Sequence, residues 1–190
     1  MARRPADSQD GPGFFDEAGP GDQDSGHRPQ DTGPGGQQAS GSSASGHRRL
    51  LVEADGGSRG NPGPAAYGAL VRDADTGETL LSEGLTIGRA TNNVAEYRGL
   101  IAGLEMARQV DAAAPVEVRM DSKLVVEQMA GRWKIKHPDM IPLARQAARL
   151  RPASVTWTWV PREQNARADA LANLALDGTP VPRADPAAAR

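Results

Sequence analysis

Four carboxylates, Asp55, Glu96, Asp121 and Asp169, stand where acidic side chains could act together. Asp55 ends the apolar run "LLVEAD" and opens the glycine-rich stretch "GGSRGNPGPAAYGA". A strand running into such a stretch suggests a phosphate cradle of backbone N–H groups, yet the charge of Asp55 would repel a phosphate. Each acid has an ordinary local explanation. Asn93 and Glu96 in "NVAE" fit a capping box, and Asp121 suits the cap of a helix opening at Ser122. Asp169 suits the positive end of a helix, and Asp55 suits a turn. Together they suggest more, because strand ends that feed crossover helices collect at one edge of an α/β sheet. Two unit charges about 4 Å apart repel by about 4 kcal/mol at an effective dielectric of about 20. Hard divalent cations relieve that repulsion, and all-oxygen ligands suit Mg²⁺ or Mn²⁺. A pair of such ions activates a water and stabilises the leaving oxygen in phosphodiester hydrolysis.

The elements that must position these acids follow from the hydrophobic pattern. Residues 50–55 predict a strand running into a Gly/Pro loop, and 67–73 and 79–87 predict two more strands joined through "ADTGE". From Asn93, apolar residues recur at Val94, Tyr97, Leu100, Ile101, Leu104 and Ala107, the helical period, which predicts an amphipathic helix to Val110. A strand at 115–120, helices at 122–131 and 140–150, a strand at 154–160 and a helix at 166–178 complete the chain. The order βββ-α-β-α-α-β-α implies an α/β fold: a five-stranded mixed sheet, three antiparallel strands plus two parallel, flanked by helices.

Composition sets the outer limits. Residues 1–46 hold ten glycines and few large apolar residues beyond Phe14 and Phe15, and their three Arg against six Asp and one Glu leave them at −4. They read as a disordered tail, 47–178 as one domain, and the Pro/Ala-rich 179–190 as a second disordered tail. The absence of cysteine excludes disulfides and thiolate–zinc sites, and two of the three histidines, His27 and His47, lie in or beside the tail. No 18-residue apolar run and no signal-peptide pattern occur, so a soluble, cytoplasmic chain is expected, by default a monomer.

The segments "ADGGSRGNPGPAAYGA", "TNNVAEYRGLIAGLE", "MDSKLVVEQMAG" and "NARADALANLA", in that order across about 130 residues, together resemble type I ribonuclease H, most closely its small actinobacterial and archaeal-type members. The resemblance implies a ribonuclease H-like fold that cleaves the RNA strand of RNA/DNA hybrids to 5′-phosphate products. It implies two Mg²⁺ ions, with Mn²⁺ an alternative, bound by Asp55, Glu96, Asp121 and Asp169. In the family the attacking water lies on one ion and the RNA 3′-oxygen leaves on the other, and no small-molecule cofactor beyond metal takes part. It places Asn92 at the 2′-hydroxyls that distinguish RNA from DNA, beside Asn93. It sets Gly56, Gly57, Ser58 and Asn61 along the RNA strand, with glycine permitting close approach, and matches Asn165 to a loop asparagine that also suits a helix cap.

Three departures accompany the resemblance. Lys123 stands where many members carry a minor-groove glutamine, and suits a phosphate or hydroxyl instead. The loop "VPREQNARAD" lacks the family's histidine, leaving Arg162 or Glu163 as substitutes or a plain surface loop. "GRWKIKHPD" (131–139) replaces the long basic protrusion. There Trp133, Lys134 and Lys136 could grip the DNA strand by stacking and charge, or form a solvated loop with Trp133 docked on the core. Trp157 and Trp159 alternate along the last strand and read as packing residues. Two other functions fit the pattern: a non-catalytic RNA or hybrid-binding module, and a nuclease of the same fold preferring double-stranded RNA or RNA–DNA junctions. Four anions facing a polyanion disfavour the first.

Overall fold

A computed structural model describes residues 48–183 of the chain. The expected N-terminal tail and residues 184–190 lie outside the described residues. Five strands run in the order β3-β2-β1-β4-β5 across one sheet. Strands β1 (Leu50–Ser58), β2 (Gly63–Asp73) and β3 (Thr79–Ala90) form an antiparallel meander. Strands β4 (Val116–Met120) and β5 (Val155–Trp159) extend it in parallel from β1. The helices are α1 (Asn92–Val110), α2 (Lys123–Met129), α3 (Met140–Leu150) and α4 (Ala166–Leu176), the last preceded by a single 3₁₀ turn, Arg162–Gln164. The expected five-stranded mixed sheet and its order of elements are both observed.

The first departure lies in the glycine-rich stretch. Gly56, Gly57 and Ser58 continue β1 rather than forming a loop, in register with Tyr67, Ala66 and Ala65 of β2. Low strand propensity at glycine is overridden by a partner strand that supplies ladder hydrogen bonds and a buried apolar face. Only residues 59–62 remain as the turn between the two strands.

Glycine has another use here. A Cβ on Gly56 would lie 2.1 Å from the backbone of Ala95 and Glu96, so its absence lets α1 press directly onto β1. The missing side chain therefore makes room for a helix, where the sequence suggested room for nucleic acid.

The core fills the face of the sheet beneath α1. Leu50, Val52 and Ala54 alternate into it from β1, meeting Tyr97, Leu100, Ile101 and Leu104 of α1. Helix α3 closes it with Leu143, Ala144 and Ala147, and α4 packs on β2, β1 and β3.

Helix α1 starts one residue before its predicted position. Thr91 is the N-cap, its hydroxyl accepting from the Val94 N–H at 3.4 Å. The "TNN" triplet offers three capping residues in a row, and Thr91 takes the role expected of Asn93. Ser122 flanks α2 without a side-chain cap bond, so Asp121 is not the cap there.

Part of the tail expected from residue 179 is held in the fold. Val181 pairs with Gly84 of β3 through two 2.7 Å backbone bonds, and Arg183 reaches Glu83. An open ladder position and a buried carboxylate hold this segment where composition alone suggested none. Among the described residues, no helix is long and apolar enough to cross a membrane.

Candidate active site

Asp55, Glu96 and Asp121 arrive from three elements: the central strand β1, the first turns of α1, and the residue after β4. Each offers a carboxylate oxygen, and these oxygens all lie within 4.8 Å of one another. Asp55 and Glu96 are buried and Asp121 is half-buried. The capping-box reading of Glu96 fails, because its side chain turns inward to the other acids.

Burial raises the Asp55 carboxyl to about 7, reinforced by the negative charges of Asp121 and Asp169. Burial likewise lifts Glu96 well above the ordinary carboxylate range, with Asp55 and Asp121 adding to the effect. A hydrogen bond from the Gly56 backbone and the positive charge of Arg162 oppose both shifts. Glu96 Oε2 is buried without a hydrogen-bond partner. An oxygen in that state, facing two further carboxylates, fits a hard divalent cation.

The fourth acid stands apart from this cluster. Asp169 Oδ1 is paired with Arg162, and its Oδ2 accepts from Asn173 Nδ2 at 2.9 Å. The expected convergence of four acids thus becomes three clustered and one held at the rim. Asp169 remains near enough that its charge raises the Asp55 carboxyl.

Two supports of Asp121 escaped the sequence reading. Asn165, expected as a substrate contact or helix cap, is fully buried and makes no cap bond. Its Nδ2 donates to Ala54 O at 2.9 Å and to Asp121 Oδ1 at 3.0 Å, tying the Asp121 side chain to β1. Trp159, expected as packing, is 49% exposed, and its indole N–H donates to Asp121 O at 3.0 Å. Trp157 packs against the core as expected. An asparagine before a helix looks like a cap in any sequence, so only its burial reveals the different role.

At the rim, Asn92 is exposed, and its Nδ2 lies 3.5 Å from Glu96 Oε1. Its backbone N–H donates to Asn61 Oδ1 at 3.1 Å, so Asn61 steadies the start of α1. Asn93 is half-buried, as are Gly57 and Ser58, and Gly56 is buried. Lys123 is exposed at the first residue of α2. In the 131–139 loop, Lys134 and Lys136 are exposed and Trp133 is 48% exposed, so the tryptophan does not dock on the core. Ile135 packs against the core in its place, and Arg132 is occupied by Glu127.

Comparison with known proteins defines the class. A family model described as reverse transcriptase-like matches residues 53–175. A bifunctional protein of Mycobacterium tuberculosis is 57% identical over 131 residues, which cover 68% of this chain and 36% of that protein. Its N-terminal RNase H domain, solved as a maltose-binding-protein fusion, aligns with a TM-score of 0.67 at 56% identity, covering 70% of this chain and 96% of the solved one. Ribonuclease HI of Halobacterium salinarum is 49% identical, covering 68% of this chain and 65% of its own, and its RNase H1 crystal structure aligns with a TM-score of 0.65. LC11-RNase H1, isolated from compost and solved in complex with an RNA/DNA hybrid, is 41% identical with a TM-score of 0.65, covering 68% of this chain and 98% of the other. The chain belongs to the type I ribonuclease H family. It spans about a third of the length of the mycobacterial relative.

Proposed function

We propose that this chain is an endoribonuclease that hydrolyses the RNA strand of RNA/DNA hybrids, leaving 5′-phosphate ends. The observation that carries the reading is the buried trio Asp55, Glu96 and Asp121, with oxygens within 4.8 Å and one of them unpartnered. Two divalent cations, Mg²⁺ or Mn²⁺, held by these three with Asp169, would supply an activated water and stabilise the leaving oxygen. The chain's own residues set the geometry. Asn165 and Trp159 hold Asp121 by its side chain and its backbone, so one ligand is oriented before any cation arrives. Asn92 presents an amide at the rim beside Glu96, where a ribose 2′-hydroxyl could meet it.

Gly57, Ser58, Asn61 and Asn93 line the same approach, and Lys123 offers a cation to a phosphate or hydroxyl. Trp133, Lys134 and Lys136 track the DNA strand by stacking and charge, which makes binding sensitive to salt. The activity belongs to the ribonuclease H domain, residues 47–178, with the chain acting as a cytoplasmic monomer.

The test is incubation of the full chain with labelled hybrid, double-stranded RNA and single-stranded RNA, each with Mg²⁺, Mn²⁺ or chelator. Cleavage confined to the hybrid and abolished by chelator is expected. No cut hybrid with either metal, or an Asp121→Asn variant as active as the parent, overturns the reading.

A further inference from the structure

Arg162 is the feature this reading leaves over. It sits on the 3₁₀ turn before α4, and its guanidinium pairs with Asp169, the acid missing from the cluster. Its side chain is 72% exposed, whereas that of Asp169 is 24% exposed, so a solvent-borne cation reaches over a mostly covered carboxylate. Its charge is felt beyond Asp169: it opposes the upward shifts of both Asp55 and Glu96, and Asp55 and Asp121 in turn hold its own proton more tightly. One monovalent cation, paired with Asp169, therefore also opposes the negative charge of the clustered acids.

We propose that Arg162 is an exchangeable counter-ion, neutralising Asp169 when the site is free and a substrate phosphate when it is loaded. The proposal rests on the nuclease reading above, because Asp169 must take up a divalent cation for the exchange to occur. A carboxylate oxygen engaged by a guanidinium is not free for a metal, so Arg162 and the cation compete for Asp169. Once released, the long, exposed side chain stays beside the site, where the nearest new anion is the phosphodiester backbone. Arginine suits both states, since its planar fork matches carboxylate and phosphate alike.

The two roles predict effects of opposite sign for one substitution. Arg162→Gln removes the competitor, so Mn²⁺ should bind the full-length chain about two- to fivefold more tightly by calorimetry without nucleic acid, in keeping with the modest strength of exposed ion pairs. The same variant should bind hybrid more weakly in Ca²⁺, and its log–log salt dependence should be shallower by about one phosphate contact. Arg162→Lys should lie between parent and Arg162→Gln in both assays. A role confined to holding the loop would move both affinities in the same direction. Unchanged or weaker Mn²⁺ binding by Arg162→Gln, or an unchanged salt slope, overturns the exchange. A parent chain that takes up no Mn²⁺ overturns the nuclease reading itself.

Discussion

Glu83 and Glu96 are equally hidden, each 6% exposed, yet their surroundings are opposite. Glu83, on β3, accepts from the Tyr67 hydroxyl at 2.5 Å and from Arg183 at 3.0 Å, and Arg183 also reaches Glu105 at 3.4 Å. Around Glu96 there is one long contact with Asn92, two further acids and an oxygen without a partner. A buried charge is tolerable when a partner and hydrogen bonds compensate it. At Glu83 the chain supplies that compensation itself, through Tyr67 and through Arg183 beyond α4. At Glu96 it supplies too little, and burial with two neighbouring acids pushes the carboxyl well above the ordinary range. Of the three buried side-chain atoms without a partner among the described residues, two, Glu96 Oε2 and Asn165 Oδ1, belong to this site. The third, Glu53 Oε2, belongs to a carboxylate already paired through its other oxygen with Arg72.

The same substitution at the two glutamates is the strongest way to break this comparison. Glu96→Gln should lower hybrid cleavage by at least about 100-fold, a range that even indirect supports of a metal site reach. It should leave the metal-free fold as stable as the parent or more so, because it removes an ill-compensated charge. Glu83→Gln should do the reverse: near-parental cleavage, with a loss of about 1–3 kcal/mol in denaturant unfolding as Arg183 loses the nearer of its two carboxylate partners. A destabilised Glu96→Gln in chelator would mean that the two sites are not different in kind.

Acidity offers a second way. Asp55 titrates near 7 in the fold and Glu96 is also raised, whereas unfolded carboxyls titrate near about 4. The folded state thus binds more protons than the unfolded state in that window, so stability is lost as pH rises from about 4 through about 7. In chelator, the unfolding temperature should be higher at pH 5.5 than at pH 8. Mg²⁺ should raise it at pH 8 and have little effect at pH 5.5. A metal-free melting temperature that does not fall across this range would show that the acids are compensated from within.

Removal of the partner from the closed site tests it from the other side. Arg183→Ala should cost about 1–3 kcal/mol of stability, because Glu83 stays buried with only Tyr67 to answer it. Cleavage by the folded fraction should be unaffected, measured at a temperature well below unfolding. A drop in activity at full folding would tie the C-terminal segment to the site.

What the sequence made legible follows from what is periodic in it. Apolar runs, alternation and the 3.6-residue spacing of α1 place the strands and helices in order. The expected strand ends at Asp55 and Asp121 bring two acids to one edge, although Asp55 lies within β1 and only Asp121 follows its strand directly. The contacts that escaped are between residues with no periodic relation. Arg162 and Asp169 meet across a turn, Asn165 reaches back 111 positions to Ala54, and Val181 joins the sheet by a single bridge. Gly56 to Ser58 read as loop because strand propensity is judged residue by residue, while register with β2 is a property of the pair. Trp159 shows the same limit: alternation identifies its strand but not that the last residue overhangs the site.

The smallest expected effect lies one residue beyond Glu96. Tyr97 is fully buried, and its hydroxyl donates to Gln128 Oε1 at 2.8 Å, while Gln128 Nε2 donates to Lys134 O at 3.4 Å. Burial raises the tyrosine to about 12, so it stays a neutral donor at any working pH. Successive residues of α1 therefore carry one polar group answered from within and one with an oxygen that no protein group answers. Tyr97→Phe keeps the ring and its packing but strands Gln128 Oε1, which should cost about 1 kcal/mol in denaturant unfolding. Gln128 also anchors the backbone of the loop bearing Lys134 and Lys136, so hydrogen exchange at residues 132–136 should rise modestly in the variant. Metal affinity should not change, because Tyr97 packs within the core and its hydroxyl is engaged by Gln128. A Tyr97→Phe variant with altered Mn²⁺ binding would show that the closed and open sites communicate through α1, and the contrast between neighbours would then be one of degree.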